Sequence, residues 1–564
     1  MINRNAFTVK QGTCVEATPR VNIGKRWVAA AVVILVVVIA SAAYYLTLPR
    51  APPVAYRRTL VIGVSTDNQA LDPQQASWTT LVNWYAFSGY VGFDQQRNVV
   101  PDLAQSYEIQ DGGRALIIKL PTDLKFSSGN PLTAEVAKEV VERYVRLSPY
   151  STDWMELNHT EIVDDNTVKF VFNHPPGPLW AVLASEYGAP VDVETAKKLG
   201  DEQFNAQPVG AGPFIIKEWV KGSQTVLIPN PNYRTSLPFV NNKGPITNLD
   251  QVTIRVIPDD LTRVNEFLAG DVDILAAVPP ELVGTIAKDP NSVLHEFAYG
   301  GLDYLALNLE KTPLDDLNVR KAIYLAMNNQ EFVQANSNTT EAWYSFISRG
   351  MLCSNSTVED MAKTTYSYNL AEANGLLDAA GWAMGGDGYR HKGGQTLTFT
   401  LDVPTDMAAL RNIAPVIQAQ LAKAGIKIDL KEYEYHYIRA KIWNKNFDAA
   451  LNVWAWVDPD GDEAYWLHSQ RAHNATYINP EVDQLFDQGM MTFDLKQRTE
   501  VYSRLQLILL RDLPGIPLQY SKSYVAVRNN VEGIVFSLHT SPLIYLNDVR
   551  VIATAKPPEQ TTTT

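Results

Sequence analysis

The chain has 564 residues, of which 46% are hydrophobic and 19% charged, and its formal net charge at pH 7 is −13. This length exceeds what one hydrophobic core usually holds, so two or three lobes are expected. Residues 51–564 carry 42 Lys and Arg against 60 Asp and Glu, and this acidic balance argues against a nucleic-acid-binding protein. Cys14 and Cys353 lie on either side of a long apolar segment, so a disulfide within one folded domain is not expected.

The first predicted element is this apolar segment, residues 27–48, which contains no charged side chain. About 20 apolar residues are enough for a helix to span a bilayer. Lys25 and Arg26 precede the segment, and basic residues at this end favour a cytoplasmic N-terminus and export of the remainder. Ala40-Ser41-Ala42 is a small-residue cleavage site typical of a secretory signal peptide. The segment therefore predicts either a retained membrane anchor or a signal peptide.

Helix and strand patterns alternate along the rest of the chain. Thr133, Asp316 and Asn369 are each placed to cap the start of a helix. Gly381 suits the left-handed position after a helix end, and Gly425 separates a helix from an alternating strand. The apolar helix stripes consist of Ala137, Val140, Val141, Tyr144 and Val145; Val319, Ala322, Ile323, Ala326 and Met327; Leu370, Ala373, Leu377 and Ala380; Ile413, Val416, Ile417 and Leu421; Val501, Leu505, Ile508 and Leu509. These patterns predict α/β lobes with the stripes in their cores.

Short motifs follow one another in a characteristic order. They are Leu71-Asp72-Pro73, Pro101-Asp102-Leu103-Ala104-Gln105-Ser106-Tyr107, Pro131-Leu132-Thr133-Ala134, residues 207–233, Phe267-Leu268-Ala269-Gly270-Asp271, Leu305-Ala306-Leu307-Asn308, residues 313–322, Ala379-Ala380-Gly381-Trp382, residues 454–460 and residues 477–483. In the central motif Gly210 and Gly212 permit backbone angles closed to other residues, and Pro213 leads into a strand. The series resembles the family 5 extracellular solute-binding proteins, the oligopeptide and dipeptide receptors of ABC importers. The resemblance covers residues 59–535.

The resemblance implies a periplasmic-binding-protein-like α/β fold with two large lobes joined by a hinge. Lobe I is discontinuous, lobe III is the second large lobe, and lobe II is smaller. The resemblance implies a hinge of two paired strands, residues 305–308 and 517–520. The expected segments are 1–26, a cytoplasmic or signal n-region; 27–48, the anchor or signal peptide; 49–56, a linker; 57–95, lobe I; 96–207, lobe II; 208–309, lobe I; 310–517, lobe III; 518–555, lobe I; and 556–564, a disordered tail.

A receptor of this family captures a solute between its lobes and delivers it to a permease. The resemblance implies a short peptide as the solute, the transmembrane subunits of an ABC permease as the partner, and no cofactor. It also implies a monomer in the periplasm or on the outer face of the cytoplasmic membrane, attached to it if residues 27–48 are retained. The sequence has no Gly-x-Ser-x-Gly elbow, no phosphate-binding Gly-Lys-Ser/Thr loop and no His-Glu-x-x-His helix, so a receptor is expected rather than an enzyme.

Trp454, Ala455, Trp456 and Asp458 are predicted ligand-binding residues. They align with the family's tryptophan-led loop, which faces the cleft from lobe III. In peptide-binding members this loop supplies an aspartate for the peptide ammonium, whereas here that position carries Trp456 or Val457. Two tryptophans offer flat apolar faces suited to a sugar, an aromatic group or a cation. The alternative is that the tryptophans pack in the core and that Asp458 caps a turn.

Tyr85 and Ser88 are predicted to contact the ligand from lobe I. They lie where many family members have an aromatic-Glu-Gly-Leu sequence, and here Ser88 replaces the glutamate and Tyr90 the leucine. Loss of the carboxylate beside retained aromatic residues favours neutral, stacking contacts. Asn308, at the end of the first implied hinge strand, completes the predicted ligand-binding residues.

Other interpretations remain open. The same receptor role suits a non-peptide solute such as an oligosaccharide, an opine-like conjugate or a metal chelate. A membrane-tethered sensor or peptide-holding chaperone would use the same cleft without transport, and an exported hydrolase is disfavoured by the missing nucleophile motifs. His468 and His473 near Glu463, and the Asp-x-Asp-x-Asp spacing that begins at Asp458, are minor candidates for metal binding, and no metal ligand is assigned.

Overall fold

The computed structural model describes residues 24, 30, 32–41, 55–460, 467–470, 476–539 and 541–553. The chain divides into two compact units, Met1–Ala55 and Tyr56–Thr564. In the first unit residues 32–41 are helical. Within the described residues, no helix has the length and apolar character needed to cross a membrane. The predicted n-region and linker lie almost wholly outside the described residues, as does the predicted tail 556–564.

The described residues of the unit Tyr56–Thr564 form both helices and strands. Its described strands are β1 (Tyr56–Arg57), β2 (Thr59–Val64), β3 (Val91–Phe93), β4 (Val99–Pro101), β5 (Ser106–Gln110), β6 (Ala115–Lys119), β7 (Leu157–Asp164), β8 (Thr167–Phe172), β9 (Phe214–Val220), β10 (Gln224–Pro229), β11 (Gln251–Val256), β12 (Ile274–Leu275), β13 (Ser292–Ala298), β14 (Leu302–Leu307), β15 (Thr340–Ala342), β16 (Ala383–Met384), β17 (Arg390–Lys392), β18 (Gln395–Thr396), β19 (Thr398–Pro404), β20 (Lys427–Tyr433), β21 (Ala449–Trp454), β22 (Gly515–Arg528), β23 (Val531–Glu532), β24 (Val535–Leu538), β25 (Pro542–Tyr545) and β26 (Arg550–Ile552).

The described α-helices lie between these strands. They are α1 (Leu81–Ala86), α2 (Ala134–Leu147), α3 (Leu179–Leu183), α4 (Val193–Leu199), α5 (Asp201–Ala206), α6 (Asp260–Ala269), α7 (Val283–Ile286), α8 (Leu317–Leu325), α9 (Asn329–Ala335), α10 (Ser356–Thr365), α11 (Leu370–Ala379), α12 (Ala408–Lys423), α13 (Tyr435–Trp443), α14 (Pro480–Met490) and α15 (Leu495–Asp512).

Twelve of the described strands form a mixed sheet that links the two large halves of this unit. Its long strand β22 is shared between them: the first part pairs with β14, and the part from Lys522 to Arg528 pairs with β13. β21, β19 and β20 continue the sheet beyond β14, while β2, β11, β10 and β9 continue it beyond β12. The two strands that carry the predicted hinge segments do pair, but the segments 305–308 and 517–520 do not lie opposite each other, since Leu305 faces Ile516 and Pro517 faces Tyr304. The lobe boundaries themselves stay a prediction.

The half that contains β2 has a parallel core. β2 lies between β11 and β12 and is parallel to both, and Leu60 and Ile62 are fully buried. Parallel strands of one sheet need a crossover connection, and α6 supplies it between β11 and β12, which lie on either side of β2. Asp259 caps α6 by accepting a hydrogen bond from the backbone of Thr262, and Gly270 ends the helix in the left-handed conformation.

A separate antiparallel sheet consists of four strands in the order β5, β6, β8 and β7. Helix α2 packs against this sheet. Thr133 caps α2 as predicted, by accepting a hydrogen bond from the backbone of Val136. The predicted stripe is buried except at Val145, which is 47% exposed. The expectation for Val145 was wrong because successive residues turn by about 100° around a helix, which places this position at the edge of the apolar face.

The predicted helix ends in the other half are confirmed. Asp316 accepts a hydrogen bond from the backbone of Asn318 at the start of α8. Asn369 does the same for Glu372 at the start of α11, and Gly381 follows that helix with φ of 83°. These signals were readable in the sequence because a cap depends on only a few neighbouring residues.

Gly210 and Gly212 are required for a reason other than the predicted one. Neither has a positive φ, whereas a Cβ added to either residue would collide with the backbone of Ala86 or with Phe87. The central motif therefore packs directly against the end of α1. The glycines allow close approach between two segments of chain rather than an unusual turn.

Candidate functional site

Trp454 ends β21 and is fully buried. Its ring stacks on Tyr304 of the neighbouring strand β14, with ring centroids 4.1 Å apart, and Phe346 lies 6.1 Å away. In the described part of the chain, no acceptor is within hydrogen-bond reach of its indole Nε1. Trp454 thus has at least one face occupied by protein, and its contact with a ligand stays a prediction.

Trp456 has different surroundings although it lies only two positions further on. It is half-buried, and the preceding Ala455 is exposed. The Trp456 ring packs edge-on against His539, with centroids 5.5 Å apart, and it lies 6.5 Å from Tyr187. The ring of Trp84 also lies 5.5 Å from that of His539, measured between centroids. Trp84, Tyr187, Trp456 and His539 form what we call the aromatic cluster.

The aromatic cluster is assembled from distant parts of the chain. Trp84 is held on α1, which begins with a capping box between Thr80 and Asn83. Tyr187 follows α3, and His539 follows β24. Sequence reasoning did not select Tyr187 or His539, because each is a lone aromatic residue in a loop. Trp84 had a signal, since it adjoins the predicted ligand-binding residue Tyr85.

His539 presents a neutral ring to the cluster. Burial lowers its pKa to about 4, so the imidazole is uncharged at pH 7. Nε2 is 3.1 Å from the carbonyl oxygen of Ala181, and this nitrogen therefore carries the hydrogen that it donates. With one nitrogen engaged in this way, His539 contributes a fixed flat surface.

Tyr85 and Ser88 line a small cavity of about 40 Å³ together with Trp84. Tyr85 is buried and packs edge-on against Phe214 at 5.7 Å. Burial raises the pKa of its hydroxyl, which therefore stays protonated at neutral pH. The cavity also reaches Asp102, whose Oδ1 accepts a hydrogen bond of 2.6 Å from Thr235. The structure thus places the two predicted residues side by side, and their contact with a ligand stays a prediction.

Asp458 is engaged by a buried arginine. Arg498 donates from Nη1 to Asp458 Oδ2 at 2.5 Å and from Nη2 to Oδ1 at 2.7 Å. Arg498 also pairs with Asp460, which accepts a further hydrogen bond from Tyr502. Burial raises the pKa of Asp460 to about 6. This bidentate pair occupies both oxygens of Asp458. A contact between Asp458 and a ligand stays a prediction.

The structure also describes Asn308 and one of the minor candidates for metal binding, His468. Asn308 is buried, and its Nδ2 donates to the carbonyl oxygen of Phe447 at 2.8 Å. His468 lies 3.2 Å from Asp487. Glu463 and His473 lie outside the described residues. Asn308 therefore ties two turns together, and a ligand contact at this residue stays a prediction.

The family model described as bacterial extracellular solute-binding proteins, family 5 Middle, matches residues 98–476. The chain belongs to this family. Its predicted membership and the predicted role of a solute-binding protein of the ABC-importer type are thereby confirmed.

Similar proteins are found over most of the chain. The probable D,D-dipeptide-binding periplasmic protein DdpA of Escherichia coli (strain K12) is 26% identical over 506 residues, which cover 85% of this chain and 91% of that protein. The oligopeptide-binding protein AppA of Bacillus subtilis (strain 168) is 28% identical over 464 residues, which cover 78% of this chain and 81% of that protein.

Solved structures have the same fold. The structure of AppA from Bacillus subtilis in complex with a nonapeptide matches with a TM-score of 0.65 and 25% identity, covering 89% of this chain and all of that one. NikA from Brucella suis in complex with Fe(III)-EDTA matches with a TM-score of 0.75 and 23% identity, covering 87% and 99% of the two chains. The predicted α/β fold of the family 5 binding proteins, with its large lobes, is confirmed.

Proposed function

We propose that the protein captures a short peptide between its two large lobes and delivers it to the transmembrane subunits of an ABC importer. The observation that carries this proposal is the family match over residues 98–476. Two similar proteins are named for binding dipeptides and oligopeptides, and AppA was solved with a nonapeptide. The protein performs no chemistry on the peptide that it binds.

The aromatic cluster is the part of the site that contacts the peptide. Trp456 and Tyr187 come from separate segments and lie 6.5 Å apart by ring centroids. Neutral His539 lies against Trp456. Flat, uncharged rings suit varied side chains, while the extended peptide backbone supplies hydrogen bonds that do not depend on sequence.

A non-peptide solute is the second candidate. It is favoured by the pairing of Asp458 with Arg498, because both oxygens of this carboxylate are then occupied and not available to the ammonium group of a peptide. A second argument is that a protein of this fold can hold a metal chelate, since NikA from Brucella suis was solved with Fe(III)-EDTA. An oligosaccharide, an opine-like conjugate or a metal chelate would use the same aromatic faces.

The proposed place of action is the periplasm or the outer face of the cytoplasmic membrane. DdpA of Escherichia coli (strain K12) is named as a periplasmic protein. Residues 27–48 either stay as the attachment to the membrane or are removed as a signal peptide, and the receptor acts as a monomer. Mass spectrometry of the intact protein from membrane and soluble fractions distinguishes the two fates of this segment.

The decisive experiment identifies the solute that the protein carries. The full-length protein is purified, denatured and the released small molecules are measured by mass spectrometry. A set of short peptides is expected, and a single non-peptide compound would contradict the peptide part of the proposal. Stimulation of a partner permease's ATPase in proteoliposomes tests delivery, and a loaded receptor that leaves the ATPase rate unchanged would favour the sensor or chaperone role.

A further inference from the structure

Arg97 lies in the turn of the hairpin formed by β3 and β4. Asp94 closes this turn, because its Oδ1 accepts hydrogen bonds from the backbone of Gln96 at 2.8 Å and of Asn98 at 2.9 Å. Arg97 itself adopts φ of 61°, a left-handed conformation that few residues other than glycine adopt. The turn therefore holds the base of the Arg97 side chain in one position.

Only some of the hydrogen-bond donors of the Arg97 guanidinium have an acceptor among the described residues. Nη1 donates to the carbonyl oxygen of Arg349 at 3.1 Å. Nε and Nη2 are buried, and among the described residues no acceptor reaches either atom. A buried charged donor without an acceptor destabilises a protein, because it loses hydration without compensation. Packing alone gives no reason to place these two N–H groups here.

The neighbouring charges leave Arg97 uncompensated. Arg349 pairs with Glu341 at 3.2 Å, and the second oxygen of Glu341 accepts a hydrogen bond of 2.5 Å from Tyr520. In the described part of the chain, no carboxylate pairs with Arg97. Burial lowers the pKa of Arg97 to about 10, so the side chain stays charged at pH 7. The nearby carboxylate of Glu341 is thus engaged by Arg349 and Tyr520 rather than by Arg97.

Arg97 borders the aromatic cluster. Phe93, on the same hairpin, has its ring 5.9 Å from His539. Gln95 donates to the carbonyl oxygen of Phe536, three residues before His539, at 3.4 Å. The charge of Arg97 contributes to the low pKa of His539, which places the two side chains within electrostatic reach of each other. The hairpin that carries Arg97 therefore lies beside the aromatic cluster.

We propose that Arg97 anchors a carboxylate of the solute, through the two N–H groups that no acceptor among the described residues satisfies. The side-on edge of a guanidinium, Nε and one Nη, matches the two oxygens of a carboxylate. This inference rests on the proposed function and adds a substrate class to it: the solute carries a free acid group beside an apolar part. For a peptide, the acid is the terminal carboxylate or an acidic side chain.

The first test compares the cargo of variants of the full-length protein. Wild type, Arg97→Gln, Arg97→Lys and Arg504→Gln are purified from the same cells, denatured, and the released molecules are quantified by mass spectrometry. Arg504 is an exposed arginine on α15, so its replacement removes an equal charge elsewhere. We expect wild type and Arg504→Gln to release the same acid-bearing solute, and Arg97→Gln to release at least about tenfold less, because a charge-assisted bidentate contact is lost.

Arg97→Lys controls for charge alone. Lysine keeps the positive charge but not the planar pair of donors, so its cargo should fall between those of wild type and Arg97→Gln. The thermal melting temperatures of all four proteins show whether the variants are folded. If Arg97→Gln fails to fold, the comparison of Arg97→Lys with Arg504→Gln still decides the proposal.

The second test uses two peptide pools as probes. Tri- and tetrapeptides are offered as free acids and as C-terminal amides, and binding is measured by native mass spectrometry and calorimetry. Amidation should weaken binding to wild type at least about tenfold and should have little further effect on Arg97→Gln. Peptides with acidic side chains are omitted from both pools, so the difference in binding between the pools measures the contribution of the terminal carboxylate.

The outcomes separate this inference from the proposed function. Peptides that bind wild type and Arg97→Gln equally, or a cargo without any acidic group, would overturn the Arg97 anchor while leaving peptide capture intact. A non-peptide acid carried by wild type and lost from Arg97→Gln would overturn peptide capture and support the anchor.

Discussion

The ring of Trp454 stacks on the ring of Tyr304, with centroids 4.1 Å apart and planes inclined by 28°. Asn452 donates a hydrogen bond of 2.6 Å to the hydroxyl of Tyr304 and so fixes this partner. Trp456, two positions further on, is half-buried and packs against His539. Two tryptophans that look equivalent in the sequence thus have different surroundings, and their replacement should have different effects.

Trp454→Ala should lower the free energy of unfolding by about 3–5 kcal/mol, because it removes a large buried ring and leaves a cavity against Tyr304. Urea denaturation at constant pH measures this loss. Trp456→Ala is the matched variant, and its loss should be clearly smaller because the ring is only half-buried. Equal losses in the two variants would contradict the assignment of Trp454 to the core.

Trp456→Ala should instead weaken binding of the solute by about tenfold or more, equivalent to ~1.4 kcal/mol, because one flat wall of the aromatic cluster is lost. The measurement is calorimetry with the solute that wild type releases. Trp443→Ala, which removes an exposed indole on α13, is the control and should bind normally. Unchanged affinity in Trp456→Ala would remove this residue from the site.

Asp458→Asn should destabilise the protein by about 3–5 kcal/mol, because it breaks a buried ion pair and leaves Arg498 with one carboxylate fewer. Chemical denaturation measures the change. Asp250→Asn is the control: Asp250 pairs with Arg58 on the surface, and loss of an exposed pair should have no measurable effect. A stable Asp458→Asn protein with weakened solute binding would favour the predicted ligand contact instead.

Stability near neutral pH should depend on Glu186. This side chain is buried, accepts a hydrogen bond from Thr79, and burial raises its pKa to about 8 from an ordinary value of 4.5. Between these values the folded state binds more protons than the unfolded state, so the contribution of Glu186 is fully present below pH 4.5 and is lost as pH rises through 8.

Glu186→Gln removes this dependence. The free energy of unfolding of Glu186→Gln minus that of wild type should therefore increase from pH 5 to pH 8, by at most about 1.4 kcal/mol per pH unit. Taking the difference cancels His539, whose lowered pKa acts in the opposite direction between pH 4 and 6.5. Parallel stability curves for the two proteins would show that Glu186 does not titrate in this range.

Gly212→Ala should destabilise the protein by about 1–3 kcal/mol, since an added Cβ would overlap the backbone between Ala86 and Phe87. Gly284→Ala is the matched control: Gly284 lies in α7 with open space around its Cα, and alanine there should be neutral or stabilising by about 0.5–1 kcal/mol. Thermal and urea denaturation compare the two. If the stability of Gly212→Ala equals that of wild type, α1 moves away from the added Cβ at little cost in free energy.

Local features of the structure were readable from the sequence. The caps at Thr133, Asp316 and Asn369 and the left-handed Gly381 are confirmed because each depends on a few adjacent residues. The family and its fold were also readable, since the order of many short motifs is preserved even where each motif is weak. Val145 was misplaced because a helical stripe has no sharp edge in sequence.

Only the tertiary structure decided which polar and aromatic groups meet. Arg498 lies 40 positions from Asp458, yet it occupies both oxygens of that carboxylate. His539 and Tyr187 join Trp456 from distant loops. Arg97 is distinguished by two buried donors that no acceptor among the described residues reaches. The physical reason is common to all of them: composition and spacing specify local conformation, whereas burial and pairing depend on contacts between residues far apart in the chain.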